Sequence, residues 1–227
     1  MTATDLTESW ERIEAWLAAH APASHASLPA PAGPEEIQRA QQQTGIVFPG
    51  ELTTLLLRRN GAGDMGTEVI PGYELLPAAS IADTYTMHLK FRGRESESSP
   101  EPADAESDTR YADDIARAEA GRSCFHQHRV YLPVATNGCG GYMVLNYVPG
   151  VTQGRLGQFS TEDGGTSFEP TPTWKSLTAL LEAVADGLES DERIVELYGD
   201  WQTTERDEGW QATVDEDGYL VWAEPEP

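Results

Sequence analysis

Residues 45–61 read GIVFPGELTTLLLRRNG, and this stretch decides how the chain is divided into elements. Gly45 reaches positive φ without a Cβ penalty, so it suits the left-handed residue that ends a preceding helix. Pro49 has its φ preset for a first helical turn. Leu52, Leu55 and Leu56 then fall at i, i+3 and i+4, on one helix face. Arg58 and Arg59 sit where the helix dipole favours cations, and Asn60-Gly61 offers left-handed residues to close the last turn. The stretch predicts a helix stop, then a short helix buried on one side, then a sharp exit.

Upstream, Leu6, Trp10, Ile13, Trp16 and Leu17 recur at helical spacing between Glu8, Glu11, Arg12 and Glu14. That period predicts an amphipathic first helix, ended by Pro22, with its tryptophans in the core. A Pro- and Ala-rich connector over 21–33 leads to Pro34-Glu35-Glu36-Ile37, where proline and two glutamates form a helix opening that suits the dipole. This second helix should run to about Thr44 and dock on the central stretch.

Downstream, Ile70-Pro71-Gly72-Tyr73-Glu74-Leu75-Leu76 reads as a short strand beside a turn. Ser80-Ile81-Ala82-Asp83 has the form of a helix cap, with Ile81, Tyr85, His88 and Leu89 as the buried face. Residues 93–109 are dominated by Ser, Glu, Pro and Asp and bury too little apolar surface to offset their ordering entropy, so a mobile acidic insertion is expected there. Residues 130–135 and 142–147 are β-rich runs around Asn137-Gly138-Cys139-Gly140-Gly141, which predicts a hairpin, and 155–160 could add a strand. Trp174, Leu177, Leu180, Leu181, Val184 and Leu188 predict a long amphipathic helix. The alternation in 209–222 around Asp215-Glu216-Asp217-Gly218 predicts a C-terminal hairpin.

The chain has 227 residues, 39% of them hydrophobic, enough for a real core. Its formal net charge is -23, which argues against a nucleic-acid or anionic-membrane partner because phosphates would be repelled. The last 37 residues carry 12 acids against 2 bases and hold nearly half of that excess. The N-terminus has no basic and apolar leader pattern, and no run approaches the ~18 apolar residues of a membrane span, so a cytoplasmic protein is expected. Cys124 and Cys139 lie in no C-x-x-C motif and read as free thiols.

Taken in order, these features resemble the SUKH superfamily, which includes bacterial toxin-immunity proteins and the fungal cell-wall assembly regulator of the SMI/KNR type. The resemblance rests on Trp10 with Ile13-Glu14 and Leu17, on Leu28-Pro29-Ala30 leading to Glu35-Glu36-Ile37, and on Thr44-Gly45-Ile46-Val47-Phe48-Pro49 with Leu55 and Asn60-Gly61. It continues through Tyr131-Leu132-Pro133-Val134-Ala135, Asn137-Gly138-Cys139-Gly140-Gly141, Leu145, Gly157-Gln158-Phe159 and the helix with Trp174, Leu177 and Leu181. Gln41 and Asn146 stand where such sequences often carry acidic residues. The resemblance implies an α+β fold with a mixed or antiparallel sheet flanked by helices over residues 1–190; it does not cover 191–227, which the charge and alternation above read as an acidic extension with a hairpin. It also implies a non-enzymatic, cofactor-free protein-binding role, either as an antidote that neutralises a toxin or as a regulatory scaffold for cell-wall assembly.

The residues themselves offer little chemistry. His126-Gln127-His128 supplies two potential metal ligands without a third. Asp215-Glu216-Asp217-Gly218 lacks the sixth-position glycine and twelfth-position glutamate of a calcium loop. The glycine-rich loop around Cys139 lacks the Lys-Ser or Lys-Thr of a phosphate loop, and Cys139 has no evident activating base. No metal or catalytic site is assigned, which places an unrecognised hydrolase behind both binding readings. A basic partner protein, such as a nuclease-like toxin, fits the charge. The candidate contact residues are Tyr73, Asn137, Tyr142 and Tyr147 around the strands, Glu162 and Asp163 among the acids, and Trp201 in the tail, chosen because aromatic side chains give contact area at low entropy cost.

Overall fold

The computed structural model describes residues 3–62, 68–97, 112–113, 115–116, 130–150, 153–161, 166–167, 175–190 and 210–223. The described elements are helices α1 (Ala3–His20), α2 (Pro22–Ser27), α3 (Pro34–Thr44), α4 (Gly50–Arg58), α5 (Ala78–Glu97) and α6 (Leu177–Ser190). The strands are β1 (Glu74–Leu75), β2 (Tyr131–Thr136), β3 (Gly141–Asn146), β4 (Leu156–Ser160), β5 (Thr166–Ser167), β6 (Gln211–Val214) and β7 (Leu220–Ala223). The architecture is α+β: a five-stranded antiparallel sheet in the order β1-β2-β3-β4-β5, helices packed around it, and a separate β6-β7 hairpin.

The central stretch folds as its sequence dictates. Gly45 is left-handed at φ 72°, and its N–H closes α3 on the Gln41 carbonyl. Leu52, Leu55 and Leu56 are buried on one face of α4, each worth ~1.5–3 kcal/mol in apolar burial. The exit differs from expectation. Arg59 leaves α4 in extended conformation because its guanidinium reaches Glu14 and the Pro29 carbonyl, so the last turn is not closed by a left-handed residue. Positive φ appears instead at Gly61, where an added Cβ would lie 2.9 Å from the Leu75 carbonyl oxygen. Asn60 acts at a distance: its Oδ1 accepts the Ala78 N–H at the start of α5, and its Nδ2 donates to Glu36. This moves the start of α5 ahead of Ser80, which lies inside the helix rather than at its cap.

Pro22 ends α1 and also opens α2, a short helix within what reads as a connector. In α1, Leu6, Trp10, Ile13 and Leu17 have no solvent exposure, and α6 buries Leu177, Leu180, Leu181, Val184 and Leu188 against the same cluster. Helix α5 continues to Glu97, so the stretch 93–109 begins within a helix; residues 98–109 lie outside the described residues.

The two faces of the sheet serve two clusters. Leu132, Val134, Met143, Leu145 and Leu156 join the main core with the helices, while Tyr131, Val144 and Phe159 form a second cluster with Val130 and Val148. This is the period of two expected of strands buried on both sides. Between Pro133 and Ala135 the β2-β3 register shifts in a bulge, consistent with a proline that has no N–H for the ladder, and the Val134 carbonyl accepts the Leu76 N–H.

Helix α6 is capped by another helix. Glu51 of α4 accepts the Leu177 N–H at 3.1 Å and the Thr178 hydroxyl at 2.8 Å. Glu51→Ala leaves a helix-end N–H and a buried hydroxyl without this acceptor, and should lower unfolding free energy by about 1–2 kcal/mol in urea titrations, with Glu51→Gln costing less.

Candidate protein-binding surface

The strongest electrostatic feature is an ion-pair node between α1 and α4. Glu14 Oε1 accepts from the Trp10 indole at 3.0 Å and from Arg59 Nε at 2.6 Å, while Oε2 accepts from Arg58 Nη2 at 2.6 Å and Nε at 3.2 Å. Arg58 also reaches Glu11. Burial pushes the Glu14 carboxyl up, but the hydrogen bonds from Arg58 and Arg59, the Arg59 charge and the indole outweigh it and hold the group below its ordinary value. Arg58 is correspondingly raised, chiefly by its hydrogen bond to Glu14. A second node joins α1 to α6, where Arg12 bonds Asp186 and Glu189, and Glu189 is lowered by that hydrogen bond.

These nodes hold the arginines of α1 and α4 in internal pairs. Glu8, Glu35, Glu182, Asp215, Glu216 and Asp217 meanwhile stand exposed to solvent. Arg39 and Lys175 are exposed as well, so on the described surface carboxylates outnumber cations without excluding them.

The expected contact residues among those described do not form one patch. Tyr73 is 2% exposed and belongs to the main core, so it presents no ring to a partner; the Ile70–Tyr73 bridge across Pro71-Gly72 folds it inward. Asn137 is half-buried and organises its own loop, its Oδ1 accepting the N–H groups of Cys139 and Gly141. Tyr142, also half-buried, packs edge-on against His88 with ring centroids 4.8 Å apart. Tyr147 follows the far end of β3 from Asn137 and packs against both clusters. Glu162, Asp163 and Trp201 lie outside the described residues, as do Cys124, Trp174 and His126-Gln127-His128. Thr161, next to Glu162 in the chain, bonds the Gly140 carbonyl and thereby holds the end of β4 against the Asn137 loop.

Sequence reasoning missed the outer surface of the C-terminal hairpin. Trp222 and Leu220 are buried in the main core, but on the other face Tyr219 is 38% and Val221 43% exposed, beside the polar Thr213 and Gln211. The signal was present in Tyr219-Leu220-Val221-Trp222, an apolar run without the polar alternation of a one-sided hairpin.

Among the described residues no three His, Cys, Asp or Glu side chains converge to hold a metal ion, and no helix is long and apolar enough to cross a membrane. Fold and surface together define an α+β scaffold of helices around an antiparallel sheet, with carboxylates facing outward. A family model described as the SMI1 / KNR4 family (SUKH-1) matches residues 31–183, more than half of the chain, and the chain belongs to that family. Such proteins are in general binding proteins of the immunity and regulator type. A search of curated proteins finds no match to the chain. Helices α1 and α2 and the β6-β7 hairpin lie outside the matched residues.

Because Glu14 is held below its ordinary value, its stabilising effect is full above the unfolded-state carboxylate pKa and is lost as pH falls through the lower folded-state value. Glu14→Gln should cost about 2 kcal/mol at neutral pH. The difference from wild type should shrink progressively as pH falls below the ordinary carboxylate range, as read from urea unfolding across an acid pH series.

Proposed function

We propose that the protein is a non-enzymatic antidote that binds and neutralises a basic partner protein, such as a nuclease-like toxin. The observation that carries this reading is the fate of the charges: Arg12, Arg58 and Arg59 are tied to Glu14, Glu11, Asp186 and Glu189, while other carboxylates remain exposed. Such a surface speeds encounter with an electropositive cleft and imitates the phosphates that a nuclease binds. Membership of a family that includes immunity-type proteins supports the same reading.

Co-expression with the product of the gene beside its own tests it. The antidote reading expects restored growth, and association of the purified pair whose rate falls at least about tenfold between low and high salt. Absence of rescue with retained binding to envelope-assembly proteins would favour the regulatory-scaffold reading. A rate insensitive to salt would remove electrostatic recognition.

A further inference from the structure

The dipeptide Asn-Gly occurs at Asn60-Gly61 and again at Asn137-Gly138, and the fold holds the two in opposite ways. The pair is chemically reactive, because a glycine amide nitrogen with no Cβ beside it can attack the side-chain carbonyl carbon of the preceding asparagine. How each pair is held decides which of them reacts.

Asn60 is guarded. Its Nδ2, the group that would leave, donates to Glu36 at 2.9 Å, and its Oδ1 accepts the Ala78 N–H at 2.9 Å. Gly61 is buried and its backbone is boxed in, since an added Cβ would lie 2.9 Å from the Leu75 carbonyl oxygen and 3.0 Å from the Pro77 nitrogen. Ring closure there requires breaking both hydrogen bonds and turning the backbone where there is no room.

Asn137 differs at each point. Gly138 and Cys139 are exposed at the tip of the β2-β3 hairpin, and nothing lies within 4 Å of where a Gly138 Cβ would stand. Asn137 Nδ2 donates no hydrogen bond among the described residues. Its Oδ1, the atom on which negative charge develops during attack, accepts the N–H groups of Cys139 at 2.9 Å and Gly141 at 2.8 Å. Two backbone donors on one carbonyl oxygen stabilise the tetrahedral oxyanion. The Gly138 N–H donates to Thr136 Oγ1 at 3.1 Å, an acceptor for the proton the nitrogen must give up.

We infer that Asn137 is a site of spontaneous covalent modification, its amide converted to a carboxylate through a cyclic imide, while Asn60 stays intact. The Gly138 nitrogen bonds to Asn137 Cγ and loses its proton, the Cγ–Nδ2 bond breaks, and Nδ2 leaves as ammonia with that proton. Water, the one co-reactant, then opens the imide. Opening at Cγ gives aspartate, which keeps the acceptor oxygen used by the Cys139 and Gly141 N–H groups and adds a negative charge. Opening at the main-chain carbonyl gives isoaspartate, which lengthens the main chain by an atom inside the turn that the Asn137 N–H closes on the Gly141 carbonyl.

Incubation of the full chain in mildly alkaline buffer, native and in urea, tests this. Tandem mass spectrometry of proteolytic peptides locates the gain of about one mass unit that accompanies loss of an amide, and near-ultraviolet dichroism reports that the native sample stays folded. In the folded chain Asn137 should convert at least about tenfold faster than Asn60, and no more slowly than it does in urea. Both asparagines should convert at similar rates in urea, where the fold no longer distinguishes them. The converted peptide should separate into aspartate and isoaspartate forms. The proposal is overturned if Asn60 keeps pace with Asn137 in the folded chain, or if Asn137 converts more slowly folded than in urea, which would mean that the loop bonds guard the amide. Neither outcome depends on what the chain binds.

Discussion

One carboxylate, Glu14, fixes how the first helix meets α4. It takes four hydrogen bonds, one from its own helix and three from the arginines that end α4. Apolar burial of α1 supplies most of the attraction, but a stripe of Leu, Trp and Ile slides with little penalty. A carboxylate with a fixed set of donors does not, so it selects one register of α1 on α4. Having drawn Arg59 toward it, the node also sets how the chain leaves α4, and so places Asn60 to cap α5.

Much of this fold was legible because it depends on local rules. Gly45, the Leu52-Leu55-Leu56 ridge, the strands around Asn137 and the apolar period of α6 each act within a few residues, and each lies where the sequence places it. The departures come from contacts between residues far apart in sequence. The Arg59 exit answers to Glu14, the start of α5 answers to Asn60, and α2 is held by the hairpin at Ala23 and Ser24. No window of sequence contains both partners of any of these.

The binding surface was less legible for a related reason. Exposure is a property of the whole molecule, so Tyr73, flanked by turn residues, ends in the core. The sequence showed how many acids outnumber bases; it did not show that Arg58, Arg59 and Arg12 would be taken up internally.

Gln41 and Asn146 show how an apparent departure from a family pattern can leave the physics intact. Gln41 Oε1 accepts the Phe48 N–H at 2.8 Å, which fixes the turn between α3 and α4, and Asn146 Oδ1 accepts the Val148 N–H at 2.9 Å beyond β3. A backbone N–H needs an acceptor oxygen, and an amide supplies one as a carboxylate does. Asn146 is 1% exposed, where an ionised group would pay a desolvation cost that a neutral amide avoids. At such positions the acceptor is the constraint and the charge is free to vary. An acidic residue there is therefore weak grounds for assigning catalysis, just as Asp215 Oδ1 is taken up by the N–H groups of Asp217 and Tyr219 in its own turn.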